Sequence, residues 1–417
     1  MSYVRDPKLA KQGLLNLELA EKRMQALLSV RDRFRRGKPF RGLKVGLALH
    51  ITKETGVLVR TLRDGGAKVA ITGCNPLSTQ DDVAAALTTE RNVQVWGYKG
   101  ETNKDYYTFL HKVIQTKPDI TIDDGCDLVT EIHTKQPQLV KTMLGGCEET
   151  TTGILRLHAM QRAGELKMPM IAVNDNKTKH LMDNYYGTGQ STLDGVLRST
   201  NMLVAGKTVV VAGYGSCGKG VAMRAKGLGA KVIVTEVDAF AGLQAAMDGH
   251  EVMTMREAAP KGDLFVTVTG NYHVVRLEHM RRMKDGAVIC NSGHFDVEID
   301  LASLSKVAVR KRRMRHYLDE YQLAGGKTLY VAGEGRLVNL VSAEGHPSEV
   351  MSLSFSGQAL ACKYLVDHRG RLLPEVITLP PEIDDEIAKL QLKAMGLAID
   401  KLTREQVKYL RSWHIGT

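Results

Sequence analysis

The sequence predicts an α/β fold: two Rossmann-like, doubly wound parallel-sheet domains joined by a hinge, plus a small C-terminal arm. Three observations predict it. Apolar runs of strand length alternate with helix-compatible segments almost from end to end, a pattern that calls for parallel strands joined by crossover helices. Residues 207–236 carry a complete strand, glycine turn, helix, strand and acid in that order. A chain of 417 residues is long enough for two or three domains with full cores.

Taken in order, residues 1–34 carry charges throughout and read as one amphipathic helix. Strands are expected at 43–49, 68–71, 93–96, 119–122 and 170–173, with helices at 53–63, 81–87, 105–114 and 151–161. Beyond the glycine turn, strands recur at 232–234, 264–267, 287–290 and 328–332. Polar residues follow several strand ends: His50, Asn75, Asp123 and Asp124, Asn174 and Asp175, and in the second half Asn291 and His294. In open α/β sheets ligands bind beyond the carboxyl ends of the strands, so two polar clefts that close on a small substrate are expected.

In the glycine turn, Gly213-Tyr-Gly215-Ser-Cys-Gly218 follows a β-branched run. Gly213 allows the tight turn, Gly215 the close approach of a diphosphate, and Gly218 close helix–strand packing. The diphosphate then rests on the amides of a helix N-terminus. Glu236, about twenty residues on, can bond ribose hydroxyls and would repel a 2′-phosphate, which selects NAD over NADP.

Composition excludes other classes. The 43% hydrophobic and 25% charged content is that of a globular protein, and no apolar run is long enough to span a membrane. The six cysteines show neither CxxC pairs nor metal-ligand spacing, so a reducing cytoplasm and no metal are expected. The net charge of +11 concentrates in residues 31–38 and 310–315, which hold a single aromatic, Phe34, between them. Those clusters read as solvated faces or subunit contacts, not as a nucleic-acid site.

The chain resembles the adenosylhomocysteinase (S-adenosyl-L-homocysteine hydrolase) family over nearly its full length. The matching segments are Ser78-Thr-Gln-Asp81, Trp96-Gly-Tyr-Lys-Gly-Glu101, Asp123-Asp-Gly-Cys-Asp127, Glu148-Glu-Thr-Thr-Thr-Gly153, Asn291-Ser-Gly-His-Phe-Asp-Val-Glu-Ile-Asp300, Glu334-Gly-Arg-Leu-Val-Asn-Leu340 and Gly345-His-Pro-Ser348. The resemblance implies an NAD-containing enzyme that splits a nucleoside thioether reversibly. The 3′ hydroxyl is oxidised, homocysteine leaves by elimination across the acidified 4′ C–H, water adds, and the stored hydride returns. It further implies a homo-oligomer, tetramer or dimer. A substrate-binding domain would span residues 1–185 and 346–384, an NAD-binding domain 186–345, and a C-terminal arm 385–417.

By the same resemblance, Lys179 and Asp183 act at the 3′ hydroxyl, on one face if their segment is helical. Asp124 moves the 4′ proton; His50, with Asp124 and Glu149, handles protons at the 5′ position; and His294 lies near the 3′ oxygen and nicotinamide. Thr52 and Glu54 contact the base, with His346 nearby. Thr150, Thr151, Thr152, Asn184, Asn291 and Asn339 join the glycines and Glu236 around NAD. A carboxylate at Glu54 accepts from the amine of adenine but faces an acceptor on hypoxanthine, which favours adenosyl over inosyl substrates.

The chain departs from the family's pattern in three places. Its short ending, 403–417, lacks the Lys/Tyr tail and is similar to that of bacterial and archaeal members, some of which prefer the inosyl substrate. Thr188 stands where many relatives carry cysteine, and Ala241 where an Asn often assists the acid at Glu236. An NAD-dependent dehydrogenase of the 2-hydroxy-acid type and a catalytically silent NAD-binding regulator are the rival readings.

Overall fold

The computed structural model describes residues 2–414; the ends of the 1–34 segment and of the 385–417 arm, residue 1 and residues 415–417, lie outside the described residues. Two sheets of mainly parallel strands organise the chain. The first takes β1 (Lys44–Ala48), β2 (Lys68–Thr72), β3 (Val93–Trp96), β4 (Ile120–Asp123), β5 (Gly145–Glu148) and β6 (Met170–Ala172). The second takes β7 (Thr208–Ala212), β8 (Lys231–Thr235), β9 (Glu251–Val252), β10 (Leu264–Thr267), β11 (Ala287–Asn291), β12 (Ala308–Arg315), β13 (Leu318–Leu323) and β14 (Thr328–Ala332). A late strand, β15 (Val376–Ile377), returns to pair with β6. The strand orders are β15-β6-β5-β4-β1-β2-β3 and β12-β13-β14-β11-β10-β7-β8-β9.

Order reverses about β1 in the first sheet and about β7 in the second, and a crevice opens at each reversal. The strands around them are near-continuous apolar runs, such as Val209, Val210 and Val211, fully buried because helices cover both faces.

Three features differ from the sequence expectation, each for a physical reason. The 1–34 segment is broken into helices Ala10–Arg23 and Gln25–Gly37, because Met24 leaves helical dihedrals (φ −104°, ψ 49°) as its fully buried side chain enters the core. β5, Gly-Gly-Cys-Glu, has no apolar run to announce it, yet a Cβ at Gly146 would fall 2.4 Å from the Thr121 hydroxyl of β4, so tight strand packing requires glycine there. β12 and β13 are antiparallel, and β13 pairs antiparallel with β14, closing one edge of an otherwise parallel sheet. The basic run 310–315 is the outer strand of that edge, where charge guards the unpaired backbone. Its cations answer acids on the next strand: Arg310 and Arg312 lie 3.4 and 2.6 Å from Glu320, and Arg313 pairs with Asp319.

Candidate active site

Register explains why distant residues meet. Ala48 of β1 pairs with Asp123 of β4, and Asp123 with Glu148 of β5. The residues just past those three neighbouring strand ends, His50, Asp124 and Glu149, therefore reach one edge of the first sheet. In the second sheet Thr267 pairs with Asn291, and the turn after Asn291 carries Ser292 and His294 across to the same place. Gly125 (φ +101°) makes that approach possible, since a Cβ there would lie 2.2 Å from His294 Nε2. His50, Asp124, Glu149, Lys179, Asp183 and His294 all line one cleft between the sheets, together with Thr52, Glu54, Thr150, Asn184, Asn339 and His346. Its free space, about 790 Å³ with part open to solvent, is of the size that small-molecule sites have.

The charged groups form two clusters. In the first, Asp124 lies between two imidazoles, with His50 Nε2 3.4 Å from Oδ2 and His294 Nδ1 3.4 Å from Oδ1. The Cys74 thiol donates to Asp124 Oδ2 at 3.6 Å, and Ser78 Oγ lies 2.7 Å from His50 Nδ1. One ligand-type atom from each of His50, Asp124 and His294 fits within a 4.8 Å spread, a grouping that sequence spacing does not reveal.

The second cluster stands on a π-helix, Thr178–Gly187, in which Thr188 N–H reaches back five residues to Asp183 O. In such a turn both the fourth and fifth residues lie over the first, and π segments recur at functional sites. Lys179 Nζ accordingly donates to Asp183 Oδ1 at 2.9 Å and to Asn184 Oδ1 at 2.8 Å. Glu149 Oε1 is 3.6 Å from the same ammonium, and His346 Nε2 is 3.5 Å from Asp183 Oδ1. Glu149 thus shares a cluster with Lys179, and His346 stands on Asp183 as well as near the base residues.

Burial and partners set the charges. Burial drives the His50 pKa down to about 4, against the pull of Asp124, so the ring is neutral at physiological pH. Burial raises Glu149 to about 7, although Lys179 opposes it. Burial alone would raise Asp183 too, but Lys179 and then His346 reverse the sign and hold it well below the usual carboxylate range. For Lys179, desolvation is outweighed by Asp183 and Glu149, which hold the amine above its ordinary value as an ammonium.

Around the clusters, Thr52 caps the helix Lys53–Asp64 by accepting from Thr55 N–H, and Glu54 Oε1 accepts from Ser348 Oγ at 2.6 Å. Thr151 Oγ1 accepts from Asn174 Nδ2 at 3.0 Å, and Asn174 Oδ1 accepts from Asn184 Nδ2 at 3.1 Å. Thr152 faces Gly270 of the other sheet: a Cβ there would lie 3.1 Å from its hydroxyl. The Asn291 side chain, expected near NAD, is engaged within its own turn. Its two Nδ2 hydrogens are shared among the carbonyls of Gly293, Phe295 and Gly335, and its Oδ1 accepts from Gly293 N–H and Thr267 Oγ1. These bonds shape the turn that presents His294.

The residues for a dinucleotide fit it. A Cβ at Gly218 would fall 1.9 Å from the Gly213 carbonyl oxygen, whereas one at Gly215 would meet nothing within 4 Å. Gly215 caps the helix Ser216–Gly227 without a side chain, leaving the first-turn amides to an anion. Glu236 follows β8, half-buried. Asn339 Nδ2 donates to Ser191 Oγ at 3.2 Å, while its buried Oδ1 has no partner among the described residues, an acceptor suited to a carboxamide N–H.

Sequence reasoning missed Ser354 and Gln358, which donate to the two Glu149 oxygens from the helix Ser348–Asp367. Their signal is a run of polar residues, Ser352, Ser354, Ser356 and Gln358, all fully buried in one long helix. It also missed Cys217, which lines the cleft with its thiol 3.6 Å from Thr188 Oγ1, so a thiol stands beside the position where Thr188 replaces cysteine.

Comparison with known proteins gives concordant results. The family described as "S-adenosyl-L-homocysteine hydrolase" matches residues 2–138, and "S-adenosyl-L-homocysteine hydrolase, NAD binding domain" matches residues 184–345. The chain is 55% identical to the adenosylhomocysteinase of Aquifex aeolicus, over 99% of both chains. It is 54% identical to the S-inosyl-L-homocysteine hydrolase of Methanocaldococcus jannaschii, over 100% of both. To the adenosylhomocysteinase of Sulfurisphaera tokodaii it is 53% identical, again over 100% of both.

Proposed function

The chain belongs to the S-adenosyl-L-homocysteine hydrolase family, an NAD-dependent hydrolase family, and we propose that it converts S-adenosyl-L-homocysteine reversibly to adenosine and L-homocysteine. The observation that carries this reading is the pair of clusters in one cleft, one able to work at a ribose hydroxyl and the other at the neighbouring carbons. NAD, when bound, supplies the hydride acceptor and donor for the 3′ carbon; Gly213, Gly215, Gly218, Glu236, Thr150, Asn184 and Asn339 would hold it.

Lys179 and Asp183 manage the 3′-hydroxyl proton. As an ammonium Lys179 cannot accept it, but Glu149, 3.6 Å away and titrating near 7, can first take the ammonium proton. The free amine then receives the proton of the hydroxyl. Once the 3′ carbon is a ketone, Asp124 removes the acidified 4′ proton. That proton has a route through His50 Nε2, 3.4 Å off, to the departing sulfur. In the next half-reaction the neutral His50 ring accepts a proton from the entering water. His294, on the other oxygen of Asp124, steadies the carboxylate.

Support for adenine over hypoxanthine comes from Glu54, a buried carboxylate with one oxygen taken by Ser348 and Lys53 and the other available to an exocyclic amine. The 1–185 and 346–384 segments are assigned to substrate, 186–345 to NAD and 385–417 to an arm; the return of β15 to β6 supports the split. No described helix is long and apolar enough to cross a membrane, and a cytoplasmic homotetramer or homodimer is proposed.

Purified protein carrying NAD is expected to release thiol from S-adenosyl-L-homocysteine faster than from the inosyl analogue, with no net accumulation of NADH. Net NADH release would instead identify a dehydrogenase. Absence of thiol release would identify a silent binder, and a faster inosyl reaction would reverse the base assignment.

A further inference from the structure

The two ring nitrogens of His50 face different neighbours, because β1 lies between β4 and β2 in the first sheet. Nε2 looks towards Asp124, past the end of β4, and Nδ1 towards Ser78, in the turn after β2. Ser78 is 2% exposed and lies outside the cleft lining, behind the ring. The turn that carries it is held from both sides. Asn75 Oδ1 accepts from Leu77 N–H at 2.9 Å, and the Pro76 carbonyl accepts from the Gly100 and Glu101 amides at 2.8 and 3.2 Å. On the other flank Gln80 N–H donates to the Ile51 carbonyl at 2.9 Å, and Gln80 Oε1 accepts from Lys53 N–H at 3.0 Å. Ser78 Oγ is therefore a fixed point for the ring and does not follow it.

The supply of hydrogens then sets the ring's tautomer. Ser78 Oγ has one hydrogen and two contacts, the Asn75 carbonyl at 3.2 Å and His50 Nδ1 at 2.7 Å. A carbonyl can only accept, whereas a neutral imidazole has one N–H and one bare nitrogen and can turn either role towards a neighbour. Both contacts are bonds in one arrangement alone: O–H to the carbonyl, and Nδ1–H to Oγ. The competing tautomer would place the proton on Nε2 to serve Asp124. That separation is 3.4 Å, beyond the usual N–H···O range, against 2.7 Å at Ser78. Burial, which takes the His50 pKa down to about 4, keeps the ring neutral, so a single nitrogen carries the proton.

We infer that Ser78 is a positioning residue that selects the His50 tautomer, holding the proton on Nδ1 and leaving the Nε2 lone pair open to the 5′ chemistry. This deepens the thioether-hydrolase reading above and rests on it. A bare Nε2 can take the proton that Asp124 removes from C4′. The C4′–H electron pair becomes the C4′–C5′ double bond, the C5′–S pair leaves with sulfur, and Nε2–H gives its proton to that sulfur. When water adds to C5′, Nε2 takes one of its protons and Asp124 returns it to C4′. With the other tautomer Nε2 would already carry a hydrogen and could accept none. The relay would stop at Asp124, while Lys179 and Asp183 still served the 3′ hydroxyl.

The test reads the ring and the two halves of the reaction separately, on protein carrying NAD. With isotope-labelled histidine, nitrogen NMR distinguishes a protonated ring nitrogen from a bare one, and the His50 signals are identified by their loss in His50→Gln. Wild type is expected to show a protonated Nδ1 and a bare Nε2; a protonated Nε2 overturns the proposal, and this readout requires no variant at position 78 to fold. Ser78→Ala removes the fixed acceptor, so its ring proton is expected on Nε2, where Asp124 is the remaining partner. Thiol release from S-adenosyl-L-homocysteine by that variant is expected to fall about tenfold or more, within the range a general base contributes, while oxidation of bound adenosine, read as NADH absorbance, changes less than about twofold. Equal loss in both measurements, as a loosened turn would give, overturns the tautomer role, and so does unchanged thiol release. Failure of wild type to oxidise bound adenosine would count against the enzymatic reading, and the ring spectrum would still decide the tautomer.

Discussion

The two sheet edges that face each other across the cleft solve opposite problems. The first-sheet edge gathers side chains: a carboxylate between two imidazoles, and an ammonium among Asp183, Asn184 and Glu149. The glycine turn of the second sheet works by removing them, so that backbone amides and one helix N-terminus are bared. Proton transfer needs groups whose charges can be tuned by neighbours, and a diphosphate needs donors that nothing obstructs. The difference teaches how each can be damaged: the glycine turn by adding atoms, the charged edge by unpairing them.

Adding atoms is expected to have the larger effect. Gly218→Val puts a side chain where even a Cβ would lie 1.9 Å from the Gly213 carbonyl. The purified variant is expected to contain no NAD, measured in the supernatant after denaturation, and to release no thiol. Adenosine binding, followed by calorimetry, is expected to persist because the first-sheet edge is intact. Retention of NAD at the wild-type level would break the comparison.

Unpairing comes next. Lys179→Met leaves Asp183 and Glu149 facing each other without their shared cation. The rate of thiol release is expected to fall about a thousandfold, within the range general acid–base groups contribute, with NAD retained. The melting transition should report a loss of about 3–5 kcal/mol, the usual penalty for stranding a buried charge. A variant that melts with the wild type would mean that one of the carboxyls takes up a proton at little cost.

The same contrast governs what could be read in the sequence. The glycine turn is local: Gly213, Gly215, Gly218 and the strands on both sides lie within thirty residues, so the dinucleotide unit was legible from spacing. The charged edge is assembled by register. His50 and Asp124 became candidates through their strand ends and the family resemblance, and Glu149 through the resemblance alone, but which of them touch depends on β4 lying between β1 and β5. Hence the sequence did not announce that Glu149 joins Lys179, nor that helix Ser348–Asp367 supplies its donors. β5 itself escaped notice because close packing against Thr121 demands glycine where a strand reader looks for valine.

Ser354 offers a finer probe. Its hydroxyl donates to Glu149 Oε1 and favours the ionised form. The folded pKa of Glu149, about 7, is above the ordinary 4.5, so the folded chain holds the extra proton. The stability linked to that proton is present at low pH and is lost as pH rises through about 7. If ionised Glu149 takes the Lys179 proton, activity should climb over the same range. Ser354→Ala removes a donor to the anion, so the rising limb of kcat against pH is expected to move up by about one unit. A limb that stays in place would detach Glu149 from the rate.

The smallest effect isolates what makes the Lys179–Asp183 pair special. Asp194 and Arg198 share its four-residue spacing and its 2.9 Å separation, on the helix Thr188–Thr200. They differ in exposure: 50% and 40% for Arg198 and Asp194, against 7% and 3% for Lys179 and Asp183. In water the two ions lose little solvation when apart, so Asp194→Asn is expected to cost about 0.3–0.5 kcal/mol by chemical denaturation and to leave thiol release unchanged. Spacing in the sequence is identical for both pairs and favours the bland surface reading for each. Burial separates them, because the π-turn and Asn184 hold Lys179 where no solvent can replace its partners. An Asp194→Asn variant as damaged as Lys179→Met would show that geometry alone, without burial, sets the strength of such a pair.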